Sequence, residues 1–299
     1  MLRISRLTKS SSYYKTLLKK VNENRSLSSG EISDVLDSIK TSLSSIPPIP
    51  KLNLPLLTVC GDVHGQFEDM KKIFAFHGTP SITNPYLFNG DFVDRGPNST
   101  ACVLSLFLYK LIDPESIFLN RGNHELPEMN AYYGFRKELN NDTLWSHFNQ
   151  VFEQLPIAHV INDDVFVVHG GIPREFVNVT KNFSHSEHVG EFLWNDPIDK
   201  DGIHTNPRGP GTYRFGPDIT RKFLTKNNLK LIIRSHEMVD EGFEWSQNKQ
   251  CLTVFSAPYY AGHFKNKGGI VVLRSAPNDQ QGDTIIECKS FESHRISRL

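Results

Sequence analysis

An α/β fold is what this 299-residue sequence predicts, on three observations. Five short apolar runs, rich in β-branched and aromatic residues, close on polar clusters, four of them flanked by glycine, as buried strands do. They alternate with helical stretches over residues 67–76, 100–111 and 131–155, the order of elements typical of α/β architectures. Each run also ends on residues of metal-ligand type, and groups at strand ends collect in a crevice along one sheet edge.

Taken in order, residues 1–50 are polar and serine-rich and close on the breaker cluster Ser44-Ser45-Ile46-Pro47-Pro48-Ile49-Pro50. Residues 1–30 are expected to be a flexible basic arm, residues 31–295 a single catalytic domain and 296–299 a tail. Ile32, Val35, Leu36 and Ile39 have helical spacing, with Ser28 or Ser29 as the cap. Leu56-Leu57-Thr58-Val59-Cys60 leads into Gly61-Asp62-Val63-His64-Gly65, and Tyr86-Leu87-Phe88 into Gly90-Asp91-Phe92-Val93-Asp94-Arg95-Gly96. Ile117-Phe118-Leu119 leads into Arg121-Gly122-Asn123-His124-Glu125. Val165-Phe166-Val167-Val168 ends on His169-Gly170-Gly171, and Leu231-Ile232-Ile233 on Arg234-Ser235-His236-Glu237. Residues 284–288 make one late strand. Lys+Arg and Asp+Glu number 33 each, so bulk charge argues for neither nucleic acid nor membrane as a partner. No apolar run nears the roughly 20 residues a membrane helix needs. Four scattered cysteines without a Cys-x-x-Cys pair point to a reduced, intracellular chain.

The chemistry follows from the residue types. Asp62 and His64 lie two apart, so an extended segment turns both to one side. The Asp91 carboxylate has two oxygens and can bridge two cations, while Asn123, His169 and His236 supply a neutral oxygen and two imidazoles to the second. That donor set, free of thiolate, suits Mn, Fe or Zn better than Mg or Ca. Of twelve histidines, eight, such as His77, His147 and His159, lie outside these motifs and read as surface or core residues. Two cations about 3.5–4 Å apart hold a bridging hydroxide and a phosphoryl oxygen each. Attack is then in line, without a covalent phosphoenzyme. A seryl or threonyl leaving oxygen is strongly basic and needs a proton, which assigns His124 as general acid. Asp94 accepts that ring's other N–H and favours its charged form. Arg95 offers a planar fork for phosphate.

These motifs, with Trp194-Asn195-Asp196-Pro197, Arg208-Gly209 and Phe255-Ser256-Ala257-Pro258, resemble the phosphoprotein phosphatase family of serine/threonine phosphatases. Phe215-Gly216-Pro217-Asp218-Ile219, Asn227-Asn228-Leu229 and Phe291-Glu292-Ser293-His294 are most similar to the type 5 catalytic domain. The resemblance covers residues 31–295. It implies a metallophosphoesterase-type β-sandwich flanked by helices, two metal ions, and phosphoserine or phosphothreonine on proteins as substrate. It implies Arg208 as a second phosphate clamp, Tyr260 as the hydroxyl capping the phosphate, and separate regulatory subunits.

The sequence departs from the family in places. Pro210 and Gly211 lengthen the turn after Arg208 and make Arg214 a competing clamp. Tyr259 stands where the family has asparagine, and Ala261 where some members have cysteine. The loop over residues 172–192 is shorter than in the type 5 enzyme. Two other classes compete: a nucleotide or dinucleotide hydrolase of the wider metallophosphoesterase superfamily, and a pseudophosphatase acting as a binding module. The first generally lacks the Ser-Ala-Pro-x-Tyr loop together with Arg-Ser-His-Glu. The second requires a broken donor set, and here every donor is present. Cytoplasmic or nuclear location is expected, with a mitochondrial transit peptide as the alternative reading of Arg3, Arg6, Lys9, Lys15, Lys19 and Lys20.

Overall fold

The computed structural model describes residues 9–175, 177–179, 188–275 and 284–293. All five runs are strands, in two facing sheets. One sheet carries β2 (Leu56–Cys60), β3 (Tyr86–Phe88) and β4 (Ile117–Leu119), with β13 (Gly268–Ser275) and β14 (Thr284–Phe291) beside β2. The other runs β1 (Lys51–Leu52), β5 (Ala158–Ile161), β6 (Val165–Val168), β10 (Leu231–Arg234), β12 (Cys251–Val254) and β11 (Phe243–Ser246). β2, β3 and β4 are mutually parallel, and so are β6, β10 and β12. Parallel neighbours deliver their carboxyl ends to the same edge, and both sheets do so on the same side.

Side-chain alternation explains why the runs read as continuously apolar. Leu57 and Val59 on β2, Leu87 on β3, Val165 and Val167 on β6, and Leu231 and Ile233 on β10 fill the space between the sheets. Their neighbours in sequence face the helices. Tyr86 and Phe88 pack under α3 (Phe67–His77) and α4 (Ser99–Ile112), while Phe166, Val168 and Ile232 pack with α8 (Val189–Trp194) and α9 (Pro217–Asn227). Both faces are buried, so no regular alternation of polar and apolar residues marks the period of two. A third, small sheet of β7 (Asp196–Pro197), β9 (Tyr213–Phe215) and β8 (Ile203–Thr205) lies beyond α8 in sequence. At the site edge an isolated parallel bridge between Asp62 and Phe255 ties the sheets together. A Cβ on Gly61 would stand 2.0 Å from the Val254 carbonyl, so only glycine permits that approach.

Two expectations need correction. The stretch over residues 131–155 is not one helix but the end of α5 (Pro127–Tyr132), α6 (Phe135–Leu139) and α7 (Asp142–Phe152). Gly134 at φ 135° and Asn140 in the left-handed region break it. Nor are residues 11–22 a flexible arm: they form α1 (Ser11–Asn22), capped by Ser10. Tyr14, Leu17, Leu18 and Val21, spaced i, i+3, i+4, i+7, are buried in the largest apolar cluster, where α1 packs on α4. Tyr13 donates to Asp34 at 2.8 Å and Lys20 to Glu31 at 2.5 Å, joining α1 to α2 (Ser29–Leu43). Ser28 and Glu31 form a capping box at the start of α2. Residues 1–8 and 294–299, with the expected transit-type basic residues Arg3 and Arg6 and the tail, lie outside the described residues.

This arrangement fixes an expected result. Leu17, 1% exposed, is part of the cover over the apolar α4. Leu17→Ala should cost about 2–4 kcal/mol of stability, and deletion of residues 1–22 should yield an aggregation-prone chain. Thermal melts check this; a truncated chain that melts with the full-length one would show that α1 contributes no cover.

Candidate dinuclear metal centre

The turns after β2, β3, β4, β6 and β10 bring Asp62, His64, Asp91, Asn123, His169 and His236 to one buried place. His64 Nδ1 is held by the Val93 carbonyl at 3.0 Å, which turns Nε2 to within 3.5 Å of both Asp62 Oδ2 and Asp91 Oδ2. His169 is set in the same way. Its Nδ1 meets the Asn89 carbonyl at 2.8 Å, and Nε2 lies 2.9 Å from Asn123 Oδ1 and 3.4 Å from Asp91 Oδ1. Asp62 Oδ1 accepts the His236 backbone N–H at 3.1 Å. His64, Asp91, Asp94, Arg95 and His236 all have positive φ, from 42° to 71°, so left-handed backbone is concentrated here. Gly90, at φ 91°, lets the β3 turn meet Gly122, where a Cβ would stand 2.5 Å from its Cα.

The donor set fits a pair of cations. His64, Asp91 and His124 offer ligand atoms within 4.8 Å of one another, and so do Asp91, His169 and His236; Asp91 belongs to both groups. In the first group the His124 Nδ1 is already committed to Asp94, and Asp62 Oδ2, 3.5 Å from His64 Nε2, offers a further donor beside His64 and Asp91. Burial alone would lower the His64 imidazole pKa, but its bond to Asp62 and the nearby Asp91 raise it to about 9. Burial would likewise lift Asp91, yet His169, His124 and His64 hold it well below the usual carboxylate range. The carboxylates thus draw positive charge to this point. His236 is the opposite case: burial and the cations around it hold its pKa far down. Its buried Nε2 meets no hydrogen-bond partner among the described residues, as a neutral imidazole awaiting a metal would.

Above the donors is a pocket of about 160 Å³ lined by His124, Arg95, Arg208, Tyr260, Tyr133 and Trp194 among others. His124 Nδ1 lies 2.7 Å from Asp94 Oδ2, and Asp94 Oδ1 accepts the Phe135 N–H at 2.9 Å, so ring and carboxylate are both locked. The Arg95 guanidinium lies 3.8 Å from the Tyr133 ring centre. Arg208 is aimed by Asp196, which accepts Nε at 2.6 Å and Nη2 at 3.3 Å. Arg214 instead donates to the Thr205 carbonyl, so of the two arginines Arg208 is the one that lines this pocket. Burial pushes the Tyr260 phenol well up, which keeps it a neutral donor.

Sequence reasoning missed the supports. Glu125, fully buried, accepts the backbone N–H groups of Asp91, Phe92 and Gly122 at 2.7–2.8 Å and so shapes two of the turns. Asn89 and Asn120 bridge the sheets, donating to the Val168 and Val167 carbonyls. Asp196 joins Arg208 to the buried Arg234 at 2.7 Å. Glu125 was visible beside two motif residues, but its backbone targets were not. Size alone would also mislead. A hollow of about 540 Å³ lies between Arg25, Asn98 and Glu138, and it gathers none of these donors.

The chain belongs to the calcineurin-like phosphoesterase family, whose pattern matches residues 56–240. It is 43% identical over 252 residues to serine/threonine-protein phosphatase T of Trypanosoma brucei brucei, covering 79% of this chain and 53% of that protein. It is 40% identical over 274 residues to serine/threonine-protein phosphatase 5 of Arabidopsis thaliana, covering 87% and 51%. The chain therefore spans about half the length of the curated relatives it matches. A solved serine/threonine phosphatase from Saccharomyces cerevisiae, described as similar to human phosphatase PP5, superposes with a TM-score of 0.82. The two are 35% identical, over 93% of this chain and 96% of that one. The β-sandwich that the family resemblance implied is the fold observed.

Proposed function

We propose that this chain is a metal-dependent serine/threonine protein phosphatase that transfers the phosphoryl group of phosphoserine or phosphothreonine directly to water. One observation carries this reading: His124, held from behind by the buried Asp94 at 2.7 Å, shares a single pocket with Arg95, Arg208 and Tyr260 above the buried donors. Asp62, His64 and Asp91 would hold one ion, and Asp91, Asn123, His169 and His236 the other, as Mn or as Fe with Zn. Bound there, the ions supply Lewis acidity toward the phosphoryl group and a water nucleophile at neutral pH. Arg95 and Arg208 fix the phosphoryl oxygens with charged N–H donors, and Tyr260 adds a neutral hydroxyl. His124, held in orientation by Asp94, gives its proton to the departing oxygen. Neither cysteine nor serine is among the described residues lining the pocket, in keeping with transfer to water rather than to the protein.

Phosphoproteins are the proposed substrates, chosen with the help of separate regulatory subunits, and cytoplasm or nucleus the proposed place. Among the described residues no helix is long and apolar enough to cross a membrane. Metal analysis of the purified chain should give about two ions, with hydrolysis of phosphoserine and phosphothreonine peptides. Hydrolysis of ATP or dinucleotides with no peptide activity would sink the proposal.

A further inference from the structure

We propose that a hollow beside the catalytic pocket is a subsite for the residue flanking the phosphorylated one, that it takes an uncharged apolar side chain, and that Tyr259 confers this choice. The inference rests on the phosphatase reading above. The hollow, about 250 Å³, lies between Arg95-Gly96-Pro97 and the loop of Tyr259 and Ala261, with Gln66 and Gly262 completing the lining. Arg95 lines both spaces, and Tyr260, next to Tyr259, lines the catalytic one. A phosphate clamped by Arg95 thus brings the neighbouring residue of an extended peptide, about 3.3 Å further on, to the hollow.

The walls specify the chemistry. Among the described residues no carboxylate lines the hollow. The Gln66 amide already donates to Asp69 at 2.9 Å and to the Pro258 carbonyl at 2.7 Å. The Arg95 guanidinium rests on Tyr133, which lines the catalytic pocket and not the hollow. What remains is Tyr259 with a proline, an alanine and two glycines, and an aliphatic, proline or aromatic side chain fits such walls. Phe264, 41% exposed, stacks on Tyr260 with centroids 6.1 Å apart and leaves apolar surface exposed beside that ring.

Tyr259 is no passive substitute for the family's asparagine. It is held at φ 51°, ψ 47°, a left-handed conformation that asparagine tolerates and bulky residues rarely adopt. The loop does not need an amide at this position, because Asn266 supplies one. Its Oδ1 accepts the Tyr260 N–H at 3.0 Å and its Nδ2 donates to the Ala257 carbonyl at 3.0 Å. A bulky residue kept at an unfavourable backbone position, on the wall of a hollow that shares Arg95 with the site, is explained by contact with substrate.

The test compares kcat/KM on phosphoserine peptides whose residues on either side are leucine or proline, aspartate, or lysine, with p-nitrophenyl phosphate as a substrate lacking flanks. The unaltered chain should prefer the apolar peptides by about 5–10-fold. Tyr259→Asn should abolish that preference through KM, leave p-nitrophenyl phosphate turnover unchanged and melt no lower. Tyr259→Phe should keep the preference. A flat or acid-favouring profile in the unaltered chain, or a preference that survives Tyr259→Asn, would overturn the subsite while leaving the phosphatase reading intact. Turnover of p-nitrophenyl phosphate but of no peptide would remove that reading and the subsite with it.

Discussion

Asp91→Asn should strip the metal centre and lower turnover by at least on the order of 10²-fold, the two falling together. Asp91 is the residue common to both donor groups, and its carboxylate faces the Nε2 atoms of His64 at 3.5 Å and His169 at 3.4 Å. Asparagine is nearly isosteric and tolerates the left-handed φ of 53° at this position. Its amide oxygen can still accept the His124 backbone N–H, which Asp91 Oδ1 accepts at 2.9 Å. What changes is therefore the charge on the one group that both donor sets share. Mass-spectrometric metal analysis beside phosphopeptide turnover checks the result, with circular dichroism to confirm an unaltered fold. Two ions per chain at an unaltered rate would defeat the bridging assignment.

The fold was legible where burial leaves a simple trace. Runs such as Val165–Val168 are apolar at every position because one face meets the opposite sheet and the other meets helices. Glycines after them announced turns, and the donors lay in those turns. α1 was hidden by composition: its apolar positions have helical spacing, but serines and lysines between them lower the mean and suggest a solvated arm. Helix α4 held the complementary clue. Cys102 to Leu108 are buried throughout, which requires cover on the side away from the sheet, and α1 contributes it.

The donors of the site were legible, and their supports were not, for a reason of distance. Glu125 orders amides 33 and 34 residues away, and Asp196 reaches Arg208 and Arg234 at separations of 12 and 38. A sequence displays the type of each group but not which remote backbone or charge it meets. Arg208 and Arg214 show the same limit. They are alike as residue types and six positions apart, and only the pairing of β9 with β8 turns Arg214 to the Thr205 carbonyl while Asp196 draws Arg208 inward.

His124 gives the second large effect, and one that depends on the substrate. If its imidazole protonates the departing oxygen, its importance scales with the basicity of that oxygen. A serine alkoxide leaves poorly without a proton, whereas p-nitrophenolate leaves readily. His124→Asn should therefore lose on the order of 10²–10⁴-fold on phosphopeptide and clearly less on p-nitrophenyl phosphate. Asp94→Asn should follow the same pattern more weakly, because Asp94 acts through the ring it holds at 2.7 Å. Arg95→Ala should hurt both substrates alike, since both present the same phosphoryl group to the clamp. The contrast separates proton donation from binding, two roles that a residue in this pocket can fill with identical geometry. Equal losses on both substrates for His124→Asn, at unchanged metal content, would show that the ring positions phosphate and that the proton comes from elsewhere.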